Sequence, residues 1–258
     1  MDQIVSDKHA SGQRAGIEFD KGRHHRAKIG YVLLAMEQTI EEDIYSLAPE
    51  GVGVHFTRAH MANSVTVETL SAMRKHIGDA AALLLPDCDL DVVCYACTSG
   101  SVVIGEDNVK AELRRGAPRA EPTTLVTGVI RALRQLQARK IVIGTPYVDG
   151  INVIEADYLR KLGFDILDIQ GLNIEYDSDM VRVTPDYIYR FAKSLDRPDA
   201  DAVFISCGAL RTLDVVDAIE KDIGKPVVAS NQAMIWDTFR LAGIQDKIPG
   251  YGRILRDH

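Results

Sequence analysis

Cysteine is unevenly spread along this chain of 258 residues. Cys88, Cys94 and Cys97 crowd together, while Cys207 stands alone. Cys97 opens the run Cys97-Thr-Ser-Gly100 after an apolar stretch, and Cys207 opens Cys207-Gly-Ala-Leu210 after another. A turn of this kind ahead of a helix start gathers backbone N–H groups at the positive end of the helix dipole. That setting holds a carboxylate and is expected to lower a thiol pKa. Thr98 and Ser99 add hydroxyl donors, and Gly208 lets backbone approach a ligand closely. Two opposed thiols suit stereochemical work. One thiolate can take a proton from a carbon beside a carboxylate while the other thiol returns one from the far face. Alternatively, one thiolate adds to an activated double bond, rotation follows, and elimination gives the other geometric isomer. Neither scheme needs a cofactor, and the chain has neither a G-x-G-x-x-G run after its first strand nor a phosphate-loop motif.

Cys94-Tyr-Ala-Cys97 has the spacing of half a zinc site, but no second C-x-x-C or H-x-x-x-H pair completes a tetrahedral set. Residues three apart on a strand also point to opposite faces. No metal is expected. Cys88 and Cys94 read as small buried hydrophobes.

The elements that must position the two thiols follow from the hydrophobic pattern. Strands are predicted at 28–34, 51–57, 92–96, 140–144, 165–169, 202–206 and 226–229. Amphipathic helices are predicted at 67–82, 124–137, 152–162, 185–195 and 213–223. Strand–helix alternation implies parallel sheet covered by helices. The chain also repeats itself. Lys28-Ile-Gly-Tyr-Val resembles Lys140-Ile-Val-Ile-Gly, Gly51-Val-Gly-Val-His aligns with Gly163-Phe-Asp-Ile-Leu, and the run 91–97 aligns with 201–207. Three matches in one order at nearly one offset imply two similar open α/β halves. The fold class expected is therefore α/β, with two pseudo-symmetric, flavodoxin-like parallel-sheet halves and the site in the cleft between them. The expected division is an N-terminal arm at 1–27, a first half at 28–130 plus 231–258, and a second half at 131–230. His24 and His25 in the polar arm read as solvated. Ligands bind beyond the carboxyl ends of strands in such sheets, where both Cys97 and Cys207 fall.

The hydrophobic fraction of 46% with 26% charged residues is that of a chain able to bury a core. A net charge of −7 argues against nucleic acid or an anionic membrane as partner. No apolar run approaches a membrane span and no signal-peptide pattern opens the chain, so a cytoplasmic location is expected.

At these residues the chain resembles the aspartate/glutamate racemase superfamily, in the branch holding maleate cis–trans isomerase, arylmalonate decarboxylase and ectoine-utilisation protein A. The likeness runs from about Lys28 to Leu255. It rests on Cys97-Thr-Ser-Gly-Ser101, Thr145-Pro-Tyr-Val-Asp-Gly-Ile-Asn152, Ser206-Cys-Gly-Ala-Leu-Arg-Thr-Leu-Asp214 and Lys225-Pro-Val-Val-Ala-Ser-Asn-Gln-Ala233. Trp236, Arg240-Leu-Ala-Gly243 and Pro249-Gly-Tyr-Gly-Arg253 complete it. The resemblance implies that Cys97 and Cys207 do the chemistry, that Thr98, Ser99 and Tyr147 hold a substrate carboxylate, and that Gly208 contributes a backbone donor. It also implies a homo-oligomer. Asn231 follows a strand and either lines the cleft mouth or caps a helix.

The resemblance further implies a choice of reaction. The decarboxylase type has glycine at the first cysteine position, so Cys97 points to isomerisation or racemisation. Two positions depart from the maleate isomerases. Leu34-Ala-Met-Glu-Gln-Thr39 stands where they carry Pro-Ser-Ser-Asn-Thr, which puts Glu37 at a carboxylate-binding asparagine, and Asp177 falls at a second one. Carboxylates there repel an anionic arm and accept hydrogen bonds from an ammonium or amide. The first-strand segment is nearer the ectoine-utilisation type. Glu37 as a solvated or helix-capping residue is the competing reading. The sequence reading is thus an isomerase of a small carboxylic acid, either an amino acid derivative or a dicarboxylate. The alternatives are a decarboxylase using Cys207 as proton donor and a non-catalytic binder of small acids.

Overall fold

The computed structural model describes residues 18–86 and 88–258. Its first half contains β1 (Ala27–Leu34), α1 (Ile40–Leu47), β2 (Val52–Ala59), α2 (Val67–Ala72), α3 (Arg74–Ala81), β3 (Val92–Tyr95), α4 (Thr98–Ile104), α5 (Glu106–Gly116) and β4 (Glu121–Thr124). There follow α6 (Leu125–Gln135), β5 (Lys140–Thr145), α7 (Asp149–Lys161), β6 (Asp165–Gly171), α8 (Asp177–Met180), α9 (Pro185–Leu195) and β7 (Ala202–Ile205). A 3₁₀ turn (Thr212–Asp214), α10 (Val216–Ile223), β8 (Val227–Ala229), α11 (Ser230–Leu241) and α12 (Arg253–Asp257) close the chain.

The strands form two parallel sheets in the orders β2-β1-β3-β4 and β6-β5-β7-β8. The second order is the first with every number raised by four, so the internal repeat is a repeat of topology. It extends to hydrogen bonds. Asp91 Oδ2 accepts the Lys28 N–H at 2.8 Å, and Asp201 Oδ2 accepts the Lys140 N–H at 2.7 Å. Each aspartate thereby pins the start of its sheet's first strand beside the third.

Period-two alternation divides the strand residues between two cores. Ile29, Tyr31, Leu33, Val92, Cys94, Ile141, Ile143 and Phe204 join one apolar cluster that both sheets share with α6 and α11. Val32, Val93, Tyr95, Val142, Val203 and Ile205 belong to the other, and so do Cys97 and Cys207. Cys94 and Cys97 thus fall on opposite faces, and Cys94 is fully buried.

Several elements differ from the sequence expectation. The helix expected at 67–82 breaks at Met73 into α2 and α3. β4 was not expected because Pro122 interrupts its pattern; it is an edge strand, where a missing N–H is tolerated. α11 was not expected as a helix because Ser230–Phe239 is buried all round, which erases the amphipathic signal. Cys88 is exposed rather than buried, in the turn that follows α3. The expected boundary at residue 130 falls inside α6. Of the expected N-terminal arm, residues 1–17 lie outside the described residues. The remainder drapes along β2: Arg26 N–H donates to the Gly51 carbonyl at 3.0 Å, and the half-buried His24 meets the His55 ring edge-on. Among the described residues no helix is long and apolar enough to cross a membrane, and no group of three or more His, Cys, Asp or Glu side chains is placed to hold a metal ion.

Candidate active site

The carboxyl ends of β1, β3, β5 and β7 converge on one small cavity. Its wall includes Glu37 beyond β1, Cys97, Thr98 and Ser99 beyond β3, Tyr147 beyond β5, and Cys207, Gly208 and Ala209 beyond β7. Met61 and Val65 beyond β2 and Asp177 beyond β6 cover it. Both cysteines line this one cavity, each 6% exposed.

Cys97 is the N-cap of α4. Its sulfur accepts the Gly100 N–H at 3.2 Å and lies 3.9 Å from Ser99 Oγ. Glycine is required at 100, because an added Cβ would sit 2.6 Å from the Tyr95 hydroxyl and 2.9 Å from the Cys97 sulfur.

Cys207, just past the end of β7, has a left-handed backbone conformation, φ +100°, that a non-glycine residue adopts only when its surroundings impose it. The surroundings are visible. Ser230 Oγ accepts the Cys207 N–H at 3.0 Å, and the Asn231 amide donates to the Gly208 carbonyl at 2.8 Å. The Ala209 N–H points at the Cys207 sulfur at 3.4 Å, and Tyr147 lines the same cavity. Thr39 Oγ1, from the β1 side, donates to the Ala209 carbonyl at 3.1 Å.

Asn231 neither lines the cavity nor caps α11. It is the second residue of that helix and spends its amide on Gly208 and on Asp43 Oδ2 at 2.7 Å, behind the wall. Glu37 is buried rather than solvated. It lines the cavity, and its Oε1 accepts the N–H groups of Gln38, Thr39 and Ile40 at the start of α1.

Asp177 stands on a clasp between the halves. The loop after β2 and the loop after β6 pair as a single antiparallel bridge, Ser64 with Tyr176. Val65 N–H donates to the Glu175 carbonyl and Asp177 N–H to the Asn63 carbonyl, each at 3.0 Å. The Asn63 amide reaches Ser178 Oγ at 3.1 Å. The clasp closes the cavity from the side opposite the strand ends.

The electrostatics run against the expectation of lowered thiols. Burial pushes Cys97 up to about 11, with the Gly100 N–H and Ser99 hydroxyl pulling down and Asp177 adding to the rise. Burial and then Asp177 hold Cys207 well above the ordinary thiol value, against Tyr147 and the Ala209 N–H. Desolvation by the closed cavity and the neighbouring carboxyl groups outweigh the helix end. Burial and then Glu37 push the Asp177 carboxyl up to about 6. Tyr147 is raised by burial, then by Cys207, Glu155 and Cys97, so it keeps its proton.

Sequence reasoning missed Ser230, whose hydroxyl also lies 3.0 Å from Thr98 Oγ1 and so joins the two cysteine turns. It missed the apolar lining from Leu34, Met61 and Val65 as well. The signals for Ser230 were its place just past a predicted strand and inside the run Lys225–Ala233.

Residues 49–255 match the family described as arylmalonate decarboxylase. The maleate isomerase of Nocardia farcinica is 27% identical over 89% of this chain and 95% of its own length. The arylmalonate decarboxylase of Bordetella bronchiseptica is 36% identical over 51% of this chain and 56% of its own. A solved structure of the Nocardia farcinica maleate cis–trans isomerase is similar with a TM-score of 0.79 at 26% identity, covering 89% of this chain and 98% of that one.

Proposed function

The chain belongs to the arylmalonate decarboxylase family, and within it we propose a cofactor-independent isomerase that uses two cysteines on a small carboxylic acid. The observation that carries this reading is that Cys97 and Cys207 line one cavity from equivalent strand ends of two repeated sheets. Thr98 and Ser99 at the start of α4 hold the substrate carboxylate, and Tyr147 keeps its proton and donates. The thiols then work from opposite sides. In racemisation, one thiolate removes the proton beside the carboxylate and the other thiol supplies its replacement. In cis–trans isomerisation of a maleate-like acid, one thiolate adds to the double bond. The other thiol protonates the neighbouring carbon, the new single bond rotates, and elimination reverses both steps. The ectoine-utilisation-like reading of the substrate belongs to the racemisation scheme.

Decarboxylation with Cys207 as proton donor is the second reading, supported by the 36% identity to the Bordetella bronchiseptica enzyme over half of this chain. Incubation in D₂O with maleate, an arylmalonate and single enantiomers of small 2-substituted acids separates the readings by proton NMR. A racemase places deuterium at the carbon beside the carboxylate and loses optical activity. A cis–trans isomerase converts maleate to fumarate, and a decarboxylase releases CO₂. Cys97→Ser and Cys207→Ser should each abolish isomerisation. Full activity in Cys97→Ser, or CO₂ release alone, would overturn the two-thiol reading.

A further inference from the structure

Two carboxyl groups face the same cavity as the two thiols, and one is unpaired. Asp177 is 3% exposed, lines the cavity, and has no hydrogen-bond partner for Oδ2 among the described residues. Glu37 is 5% exposed, and its three backbone bonds all go to Oε1. Among the described residues, no Lys, Arg or His lines the cavity. Arg58, the cation that acts on Glu37, spends its guanidinium on the carbonyls of Leu34 and Glu37 and on the Glu41 carboxylate. An uncompensated buried carboxylate costs several kcal/mol, so a cavity that keeps one calls for a cation from outside the wall.

We infer that the substrate carries a protonated amine that Asp177 and Glu37 receive, while the N–H and hydroxyl groups beside Cys97 and Cys207 hold its carboxylate. This rests on the reading that a small carboxylic acid enters this cavity, and it narrows that class to aminocarboxylates. A dicarboxylate would bring a second negative charge towards two carboxyl groups. A neutral amide would satisfy a hydrogen bond but leave the charge uncompensated. The ammonium has a further effect on the chemistry. Asp177 opposes ionisation of both thiols, and Glu37 opposes that of Cys207. A cation seated between the carboxylates cancels that field, so a substrate of this class readies the thiols as it binds.

Calorimetric titration of the whole chain with 2-aminobutanoate, 4-aminobutanoate, succinate and butanoate tests the inference at mildly alkaline pH. At least one aminocarboxylate should bind about tenfold or more tighter than both succinate and butanoate, the usual worth of a charged hydrogen bond. Its affinity should fall as pH drops through about 6, where Asp177 takes up a proton. Asp177→Asn should erase the preference and improve succinate binding. Glu37→Gln, which keeps an acceptor for the three N–H groups, should weaken the aminocarboxylate in the same sense. Succinate binding as tightly as the aminocarboxylates, no aminocarboxylate binding, or a preference unchanged in both variants would overturn it. Calorimetry reads binding without turnover. Selective binding with no isomerisation would therefore sink the isomerase reading alone, whereas isomerisation of a dicarboxylate without ammonium selectivity would sink this one alone.

Discussion

Ser230 Oγ accepts the backbone N–H of Cys207 at 3.0 Å, and the same oxygen lies 3.0 Å from Thr98 Oγ1. One hydroxyl at the first turn of α11 therefore joins the two cysteine turns and supports the left-handed backbone of Cys207. Ser230→Ala leaves a buried N–H and a buried hydroxyl without this partner. The expected cost is ~1–3 kcal/mol of stability, read by chemical denaturation. kcat should fall because Cys207 is misplaced, and KM should rise because Thr98, on the carboxylate side, loses its partner.

Thiol reactivity should follow the buried carboxyl charge. Near neutral pH, Cys97 and Cys207 should alkylate slowly with iodoacetamide, while the exposed Cys88 reacts readily. Asp177→Asn removes a negative neighbour that raises both buried thiols, so their alkylation should speed up about three- to tenfold with Cys88 unchanged. Peptide mass spectrometry measures all three at once. Unchanged or slower labelling at Cys97 and Cys207 would contradict the assignment of Asp177 to their field.

Two glycines set the approach of backbone to sulfur. A Cβ at 208 would meet Ile40 Cδ1 at 2.9 Å and Asn231 Oδ1 at 3.1 Å, and a Cβ at 100 would displace the Cys97 sulfur from its N–H. Gly208→Ala and Gly100→Ala should each cost ~1–3 kcal/mol and lower kcat. Wild-type kcat in Gly100→Ala would show that the N–H bond to Cys97 is dispensable.

Glu155 on α7 is 1% exposed, and neither carboxyl oxygen has an aligned hydrogen-bond partner among the described residues. Burial pushes its carboxyl from 4.5 up to about 7, with Ser206 opposing. Between those values the folded chain holds a proton that the unfolded chain has released. The stabilising contribution is therefore complete below 4.5 and is lost as pH rises to about 7. The loss amounts to about 3 kcal/mol. Glu155→Gln should flatten the fall in unfolding free energy over that window and leave the variant more stable than the wild type on the alkaline side. Asp43, pushed up to about 7, and Asp177, pushed up to about 6, keep a slope of the same sign in the variant. Parallel pH–stability curves for variant and wild type would refute the assignment.

The two-sheet architecture and the meeting of Cys97 with Cys207 were legible in the chain because both are written in local pattern. Apolar runs such as 140–144 and 202–206 carry the strand period, and the matching runs 91–97 and 201–207 carry the repeat. Placing each cysteine just past a strand end needed only that pattern and the rule for ligand positions in open sheets. β4 and α11 were hidden for opposite reasons: Pro122 breaks the pattern of one, and uniform burial removes the polar face of the other.

What only the tertiary structure decided is who touches whom across the halves, and with what charge. Asn231 turned from the cavity because Gly208 and Asp43, distant in sequence, claimed its amide. Ser230 became the tie between the cysteine turns because α11 begins where both converge. The thiols are raised rather than lowered because burial and then Asp177 act on both, with Glu37 adding to Cys207. Periodicity is a property of neighbours along the chain, whereas desolvation and electrostatic potential sum over every group packed around an atom. The residue types and their spacing therefore carried the positions of the sulfurs but not their acidity.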